Sequence, residues 1–282
     1  MPTRPDTVAR PGAVPNILAI AGSDPSGGAG IQADIKAISA NGGYAMAAIT
    51  ALTVQNTRGV HAAEMLAPDF VAEQIGAVFD DIRVDAVKIG MLGTAAIAGR
   101  VADALEGLSC PVVLDPVMVA KGGDRLLSEE AVETLARRLL PHAAIVTPNL
   151  PEAGDLLGRA EATTRDAMVE QAGALLALGC GGVLLKGGHL EGAESPDLFL
   201  SRERLEWLEA DRLPGGPIHG TGCTLSSALA ALMAQLDEPL DAARAAKRYV
   251  AGAIAGAGAL DVGGGHPPAD HFHAWRGATP TR

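Results

Sequence analysis

Short apolar runs alternate with amphipathic stretches along most of the chain. The runs NILAIAG (16–22), VDAVKIG (84–90), CPVVLDP (110–116), HAAIVTPN (142–149) and GGVLLKGG (181–188) each read as a buried strand. In IQADIKAISANGG (31–43), Ile31, Ile35 and Ile38 recur at helical spacing before glycines stop the pattern. Further helices are expected over about 68–80 and about 94–106, and YAMAAITAL (44–52) reads as a second strand leading on to Gln55. DLFLS (197–201) and RLEWLEADRL (204–213) suggest an antiparallel excursion, followed by two long Ala-rich helices. Strands separated by helices predict an α/β fold with a central, mostly parallel β-sheet and helices on both faces. There is no repeat, low-complexity linker or break in composition. A single domain over 16–275 is therefore expected, between tails at 1–15 and 276–282.

Composition narrows the picture. Hydrophobic residues make up 48% of the chain and aromatics only 3%, so the core must be built of Ala, Leu, Val and Ile. The net charge of -11 repels nucleic acid and anionic membranes, and neither is expected as a partner. An anionic substrate would need locally placed cations or a metal. Cys110, Cys180 and Cys223 form no CxxC pair, which points to reduced thiols. The opening fifteen residues lack a signal-like apolar run, and no stretch is both long and apolar enough for a bilayer. A soluble, cytoplasmic protein is expected.

Chemistry gathers where the strands end. The first ends in Gly22, Ser23 and Asp24, the second leads to Gln55 and Asn56, and the third ends in Gly90 and Met91. The later ones end in Asp115, in Asn149 with Glu152, and in Lys186 with two glycines. Open parallel sheets bind ligands outside the carboxyl ends of their strands, so these residues should line one rim. The stretch HGTGCTLSSALAALMAQL (219–236) adds a glycine turn at a helix start, where unpaired N–H groups and the helix dipole favour an anion. Cys223 sits in that turn. Its thiol is expected to be depressed in pKa, with nucleophile or base character. Cys110 and Cys180 lie beside apolar runs and fit ordinary packing.

Three other features are less specific. Gly28 to Ala33 matches GxGxxA, but the glycines come late after the strand and no acid closes the second one, so a nicotinamide-binding reading is weak. Asp34 lies on the inward stripe of its helix and serves either as a tether for the DPSGG loop or as a substrate contact. HPPADHFH (266–273) reads as a packed C-terminal segment rather than a metal site.

In order, AGSDPSGGAGIQADIKA, VQNTRGV, KIGML, LDPVM, TPNLPEA, LKGGH and HGTGCTLSSA resemble the hydroxymethylpyrimidine/phosphomethylpyrimidine kinases of thiamine biosynthesis, members of the ribokinase-like superfamily. The resemblance spans about 16–275. It implies a ribokinase-like fold and ATP- and Mg²⁺-dependent phosphorylation of a hydroxymethylpyrimidine, then of its monophosphate. Pyridoxal kinases of the same superfamily are the alternative. By this resemblance Gln55 reads the pyrimidine, and Gly22, Asp34, Met91 and Val117 complete the substrate pocket. Asp115, Asn149 and Glu152 organise magnesium and phosphate, and Lys186 neutralises the transferring phosphoryl group. Gly220, Thr221 and Gly222 form the anion hole, and Cys223 stands where most of the superfamily carries an aspartate base. A homodimer is implied too. The segment PGGPI (214–218) departs from the polar pattern usual there. Pro217 and Ile218 cannot donate side-chain hydrogen bonds, so weaker ATP contacts are expected from it.

Overall fold

A computed structural model describes residues 12–118, 127–213 and 216–276. The expected tails fall mostly outside these residues, as do Pro214 and Gly215 of the PGGPI segment. Ten strands are described: β1 (Asn16–Ala21), β2 (Tyr44–Ile49), β3 (Ala51–Asn56), β4 (Gly59–Met65), β5 (Ala86–Ile89), β6 (Val112–Leu114), β7 (Ile145–Val146), β8 (Gly182–Lys186), β9 (Asp197–Ser201) and β10 (Leu205–Leu208). The α-helices are α1 (Gly30–Ala40), α2 (Pro68–Asp81), α3 (Ala95–Leu105), α4 (Glu129–Thr134), α5 (Leu150–Leu157), α6 (Arg165–Leu176), α7 (Thr221–Met233), α8 (Pro239–Gly256) and α9 (His273–Arg276).

Eight strands form one sheet in the order β10-β9-β8-β7-β6-β5-β1-β2. The pairs from β8 to β2 are parallel, and β9 and β10 join antiparallel. The alternation of β1 shows why its run is continuously apolar. Leu18 and Ile20 face a core shared with α2 to α6, while Ile17, Ala19 and Ala21 face one shared with α1, α7 and α8. A strand covered on both sides has no polar face to show. The helix ends follow local chemistry as well: the Thr94 side chain accepts from the Ile97 N–H to start α3.

One expectation fails. YAMAAITAL does not continue as one strand toward Gln55. The chain leaves the main sheet after β2, and β3 pairs antiparallel with β4 as a separate two-stranded sheet. Alternate residues of β3, Leu52 and Val54, are exposed large hydrophobics. Gln55 thus rides on a hairpin beside the sheet rather than at a strand end within it.

The strand order fixes where a ligand belongs. From β1 the chain moves to β2 on one side and then returns to β5 on the other. That reversal opens a crevice at the carboxyl ends of β1 and β5. Gly22 follows the first, Gly90 and Met91 the second.

Candidate active site

The crevice floor is a meeting of two helix starts. Gly220, at φ +79, precedes α7, and no side chain caps the first turn. A side chain at Gly220 would overlap the Gly28 carbonyl, so only glycine lets the two loops touch. The backbone N–H of Gly30, the first residue of α1, lies near enough to the Cys223 sulphur to favour its charged form. Two helix N-termini therefore converge on one atom, an arrangement that favours negative charge there. Gly220, Thr221 and Gly222 present backbone where an anion would lie.

Beneath this turn stand two sets of Lys, Asp and Ser. Lys186, at the end of β8, places Nζ 3.1 Å from Asp115 Oδ1 and 3.8 Å from Glu152 Oε2. Ser226 donates to Asp115 Oδ2 at 3.2 Å, and Thr147 to Oδ1 at 3.3 Å. A Cβ added at Gly222 would come within 3.3 Å of Lys186 Nζ, which puts the ammonium directly against the glycine turn. The second set is Lys88 of β5, whose Nζ lies 2.7 Å from Asp34 Oδ1, with Ser227 donating to the same oxygen at 2.7 Å. Both charged side chains are fully buried.

Three expectations change here. Asp34 does not tether the DPSGG loop, and with no exposed surface it is not a direct substrate contact. Its helix carries it inward beneath α7, where Lys88 and Ser227 hold it. The tether is Asp24, which accepts from the N–H groups of Ser26 and Ala29 and lies 2.9 Å from His219 Nε2. Burial pushes the Asp24 carboxyl up, but the bonds from His219 and Ser26 prevail and hold it below the usual range. The Cys223 thiol is not depressed. Burial raises it to about 11, Lys88 pulls it down, and Asp34 and Asp115 push it up further. The helix termini were visible in the sequence; the low-dielectric surroundings and the two carboxylates were not.

Asn149 also has a structural part. Its side chain accepts from the Glu152 N–H at 2.8 Å while Glu152 Oε2 accepts from the Asn149 N–H at 2.8 Å, a reciprocal cap on α5. The Asn149 oxygen is thereby committed to helix geometry. Burial raises the Glu152 carboxyl to about 7, with Asp115 adding to the effect against Lys186. Two hard carboxylates held close together suit Mg²⁺, which takes one or two protein carboxylates and keeps waters or phosphate oxygens elsewhere.

The remaining expected residues line the crevice. A Cβ added at Gly22 would meet the Met91 Cε at 2.6 Å, so these two face one another. Val117, half-buried, follows Asp115 on the same rim. Gln55 is half-buried on its hairpin, with Nε2 3.3 Å from His219 Nε2 and Oε1 accepting from Thr53 at 3.2 Å. Gly28 and Gly30 serve close packing of the loop against His219 and Gly22 rather than a dinucleotide turn. At the far end, His271 and Asp270 are buried, and Tyr249 donates to the His271 carbonyl at 2.9 Å, so HPPADHFH does pack as a C-terminal segment. Cys180 is buried in the core, and Cys110 packs against it.

The family model for phosphomethylpyrimidine kinase matches residues 24–270. The chain belongs to the phosphomethylpyrimidine kinase family. It is 52% identical over 261 residues to the hydroxymethylpyrimidine/phosphomethylpyrimidine kinase of Escherichia coli, covering 92% of this chain and 98% of that one. The solved phosphomethylpyrimidine kinase of Clostridium difficile superposes with a TM-score of 0.75 at 41% identity, covering 86% of this chain and all of the other. The pyridoxal kinase of Staphylococcus aureus in complex with AMP-PCP and pyridoxal gives 0.86 at 34% identity, covering 94% and 96%. The chain is thus a kinase with the ribokinase-like fold expected from its motifs. Backbone shape is shared with the pyridoxal kinases, and the sequence sides with the pyrimidine kinases.

Three further residues pack among these: Asp24, in the sequence only one of several polar residues at a strand end, and His219 and Lys88, for which the sequence suggests no role. Asp24 and His219 lie inside quoted motifs, yet their mutual contact spans 195 positions. Lys88 carried the plainest signal, a lysine inside an otherwise apolar strand. Buried lysines need a partner, and Asp34 on the inward stripe of α1 was the one available.

Proposed function

We infer that the chain transfers the γ-phosphoryl group of ATP to 4-amino-5-hydroxymethyl-2-methylpyrimidine, and then a second one to the resulting monophosphate, in thiamine biosynthesis. The observation that carries this reading is the placement of Lys186 against the Gly220–Gly222 turn, with Cys223 at the mouth of the same helix. Charge on a transferring phosphoryl is stabilised mainly by positioned cations and N–H groups, and this turn offers both.

The pyrimidine lies between Gly22, Met91 and Val117, with the Gln55 amide offering a donor and an acceptor to its amino group and ring nitrogen. Cys223 takes the proton of the hydroxymethyl group as the new bond forms. Asp115 and Glu152 would hold Mg²⁺, and Asn149 fixes Glu152 through the helix cap. Bound there, the ion would neutralise phosphate charge. Residues 16–275 act as one kinase domain, and its site of action is the cytoplasm. Among the described residues no helix is long and apolar enough to cross a membrane. The exposed Leu52 and Val54 of β3 support the expected homodimer, with a second copy covering the hairpin face.

A coupled assay of ATP consumption, with hydroxymethylpyrimidine and pyridoxal run side by side, tests the substrate. Preference for the pyrimidine is expected. Faster turnover of pyridoxal would overturn the assignment.

A further inference from the structure

Helices α1 and α7 lie side by side in register. At the first rung the Gly30 N–H of α1 lies beside Cys223 of α7. One turn further on, four residues along each helix, Ser227 of α7 donates to Asp34 of α1 at 2.7 Å. Lys88 rises from β5 onto the same Asp34 oxygen, so its ammonium lies at the Asp34–Ser227 rung, one helical turn along from Cys223. A Cβ added at Gly90 would come within 2.7 Å of that ammonium, so the strand end is kept bare beside it. The other Asp34 oxygen, Oδ2, is buried with no hydrogen-bond partner. The pair is therefore incompletely satisfied within itself, an expensive state for a core charge. A purely structural ion pair has no need to stand there.

We propose that Lys88 is a positioning residue for phosphoryl transfer: sealed under α7 and pinned by Asp34 and Ser227, it supplies the field in which the Cys223 sulphur carries negative charge. It touches neither substrate nor nucleotide. The groups facing Cys223 are Asp34 and the Gly30 N–H from α1, Lys88 from β5, Asp115 beyond β6 and Lys186 at the end of β8. Among the charges, Lys88 acts on the thiol most strongly and in the favourable sense, and Asp34 and Asp115 oppose it. Asp34 plays a double part. It holds the ammonium in place in a site that burial would otherwise discharge, and it tempers the field the sulphur feels. The consequence for rate rests on Cys223 being the proton acceptor; the consequence for the thiol does not.

The test is the pH dependence of iodoacetamide labelling at Cys223 in the full-length protein, read by mass spectrometry of its peptide so that Cys110 and Cys180 do not interfere. Three proteins are compared: wild type, Asp34→Asn, and the charge-balanced double variant Lys88→Met/Asp34→Asn, which leaves no buried ion to unfold it. Asp34→Asn, which leaves Lys88 without the carboxylate that keeps it charged, and the double variant should both label at least about threefold slower at pH 8, since each unit of thiol pKa changes the thiolate fraction tenfold. Loss of packing alone would loosen both and speed both. Labelling that speeds up in either variant, or stays within twofold of wild type, would overturn the proposal. First-step phosphorylation rates are measured alongside. If labelling shifts as expected and the rates do not follow, Lys88 still sets the sulphur's charge, and it is the reading of Cys223 as base that falls.

Discussion

Two lysines reach α7 from strands β5 and β8 and end in opposite settings. Lys88 has no exposed side-chain surface and a single carboxylate, Asp34, so its set is neutral overall. Lys186 keeps 17% of its side chain exposed and faces two carboxylates, Asp115 and Glu152, so its set gains surplus negative charge as Glu152, raised to about 7, ionises. Adjacent serines on one helix, Ser227 and Ser226, complete the two sets. The difference is one of permission. A sealed ion pair must balance its own charge, because no solvent or ligand can do so. An open one can stay unbalanced, and that imbalance is what suits it to exchange partners with a cation or a phosphate. Lys88 can act only through its field, Lys186 by contact.

The largest effect that would break this contrast is on stability. Lys88→Met strands Asp34 with Ser227 as its remaining hydrogen-bond partner, and should cost about 3–5 kcal/mol in unfolding free energy. Lys186→Met leaves Asp115 with donors from both Thr147 and Ser226 and with water at hand, and should cost less than half as much. Urea melts of the two variants measure this. Equal losses would mean that the two lysines are structurally equivalent.

Activity should divide the other way. Lys186→Ala should lower turnover about a hundredfold or more in both phosphorylations while the protein stays folded, since the ammonium against Gly222 is the cation nearest the anion turn. A near-wild-type rate with a cooperative melt would remove Lys186 from the chemistry. A smaller change is expected at the hairpin. Gln55→Ala removes one or two hydrogen bonds to the ring and should cost about 1–3 kcal/mol in kcat/KM for the pyrimidine, with the KM for ATP unmoved. If both substrates suffer alike, Gln55 supports the hairpin and does not read the ring.

These contrasts also mark what could be read in the chain. The strand-end rim was legible because open parallel sheets put ligands there and the polar residues fall at regular places. Lys186, Asp115 and the Gly220–Gly222 turn all stand on that rim. Asn149 has a capping part that its motif did not reveal, because a capping box and a ligand pair use the same two residue types at the same spacing. The hairpin that carries Gln55 was not legible, since an apolar run gives no sign of where a chain changes sheets. The error over Cys223 is the most instructive. Helix termini can be read locally, but the net effect on a thiol depends on Asp34, Lys88 and Asp115, which only the fold brings together.

That error sharpens the last prediction, the smallest per step and the one that ties the two lysine sets to the two reactions. The hydroxymethyl group is an alcohol and must lose a proton as it attacks. The monophosphate has a second pKa near 6 and is already mostly dianionic at neutral pH. With the Cys223 thiol held near 11, only a small fraction is thiolate at pH 7, and that fraction grows as pH rises toward the thiol's value. The first phosphorylation should therefore accelerate with pH, by at most about tenfold per unit between pH 7 and 9, while the second stays nearly flat. Cys223→Ala should abolish the slope of the first step and leave the second little changed. Lys186→Ala should lower both profiles without altering either slope. The measurement is the rate of each step in isolation, started from alcohol or from monophosphate, across that range. Parallel profiles for the two acceptors in the wild type would mean that the sulphur takes no proton, and Cys223 would then serve the shape of the anion turn alone.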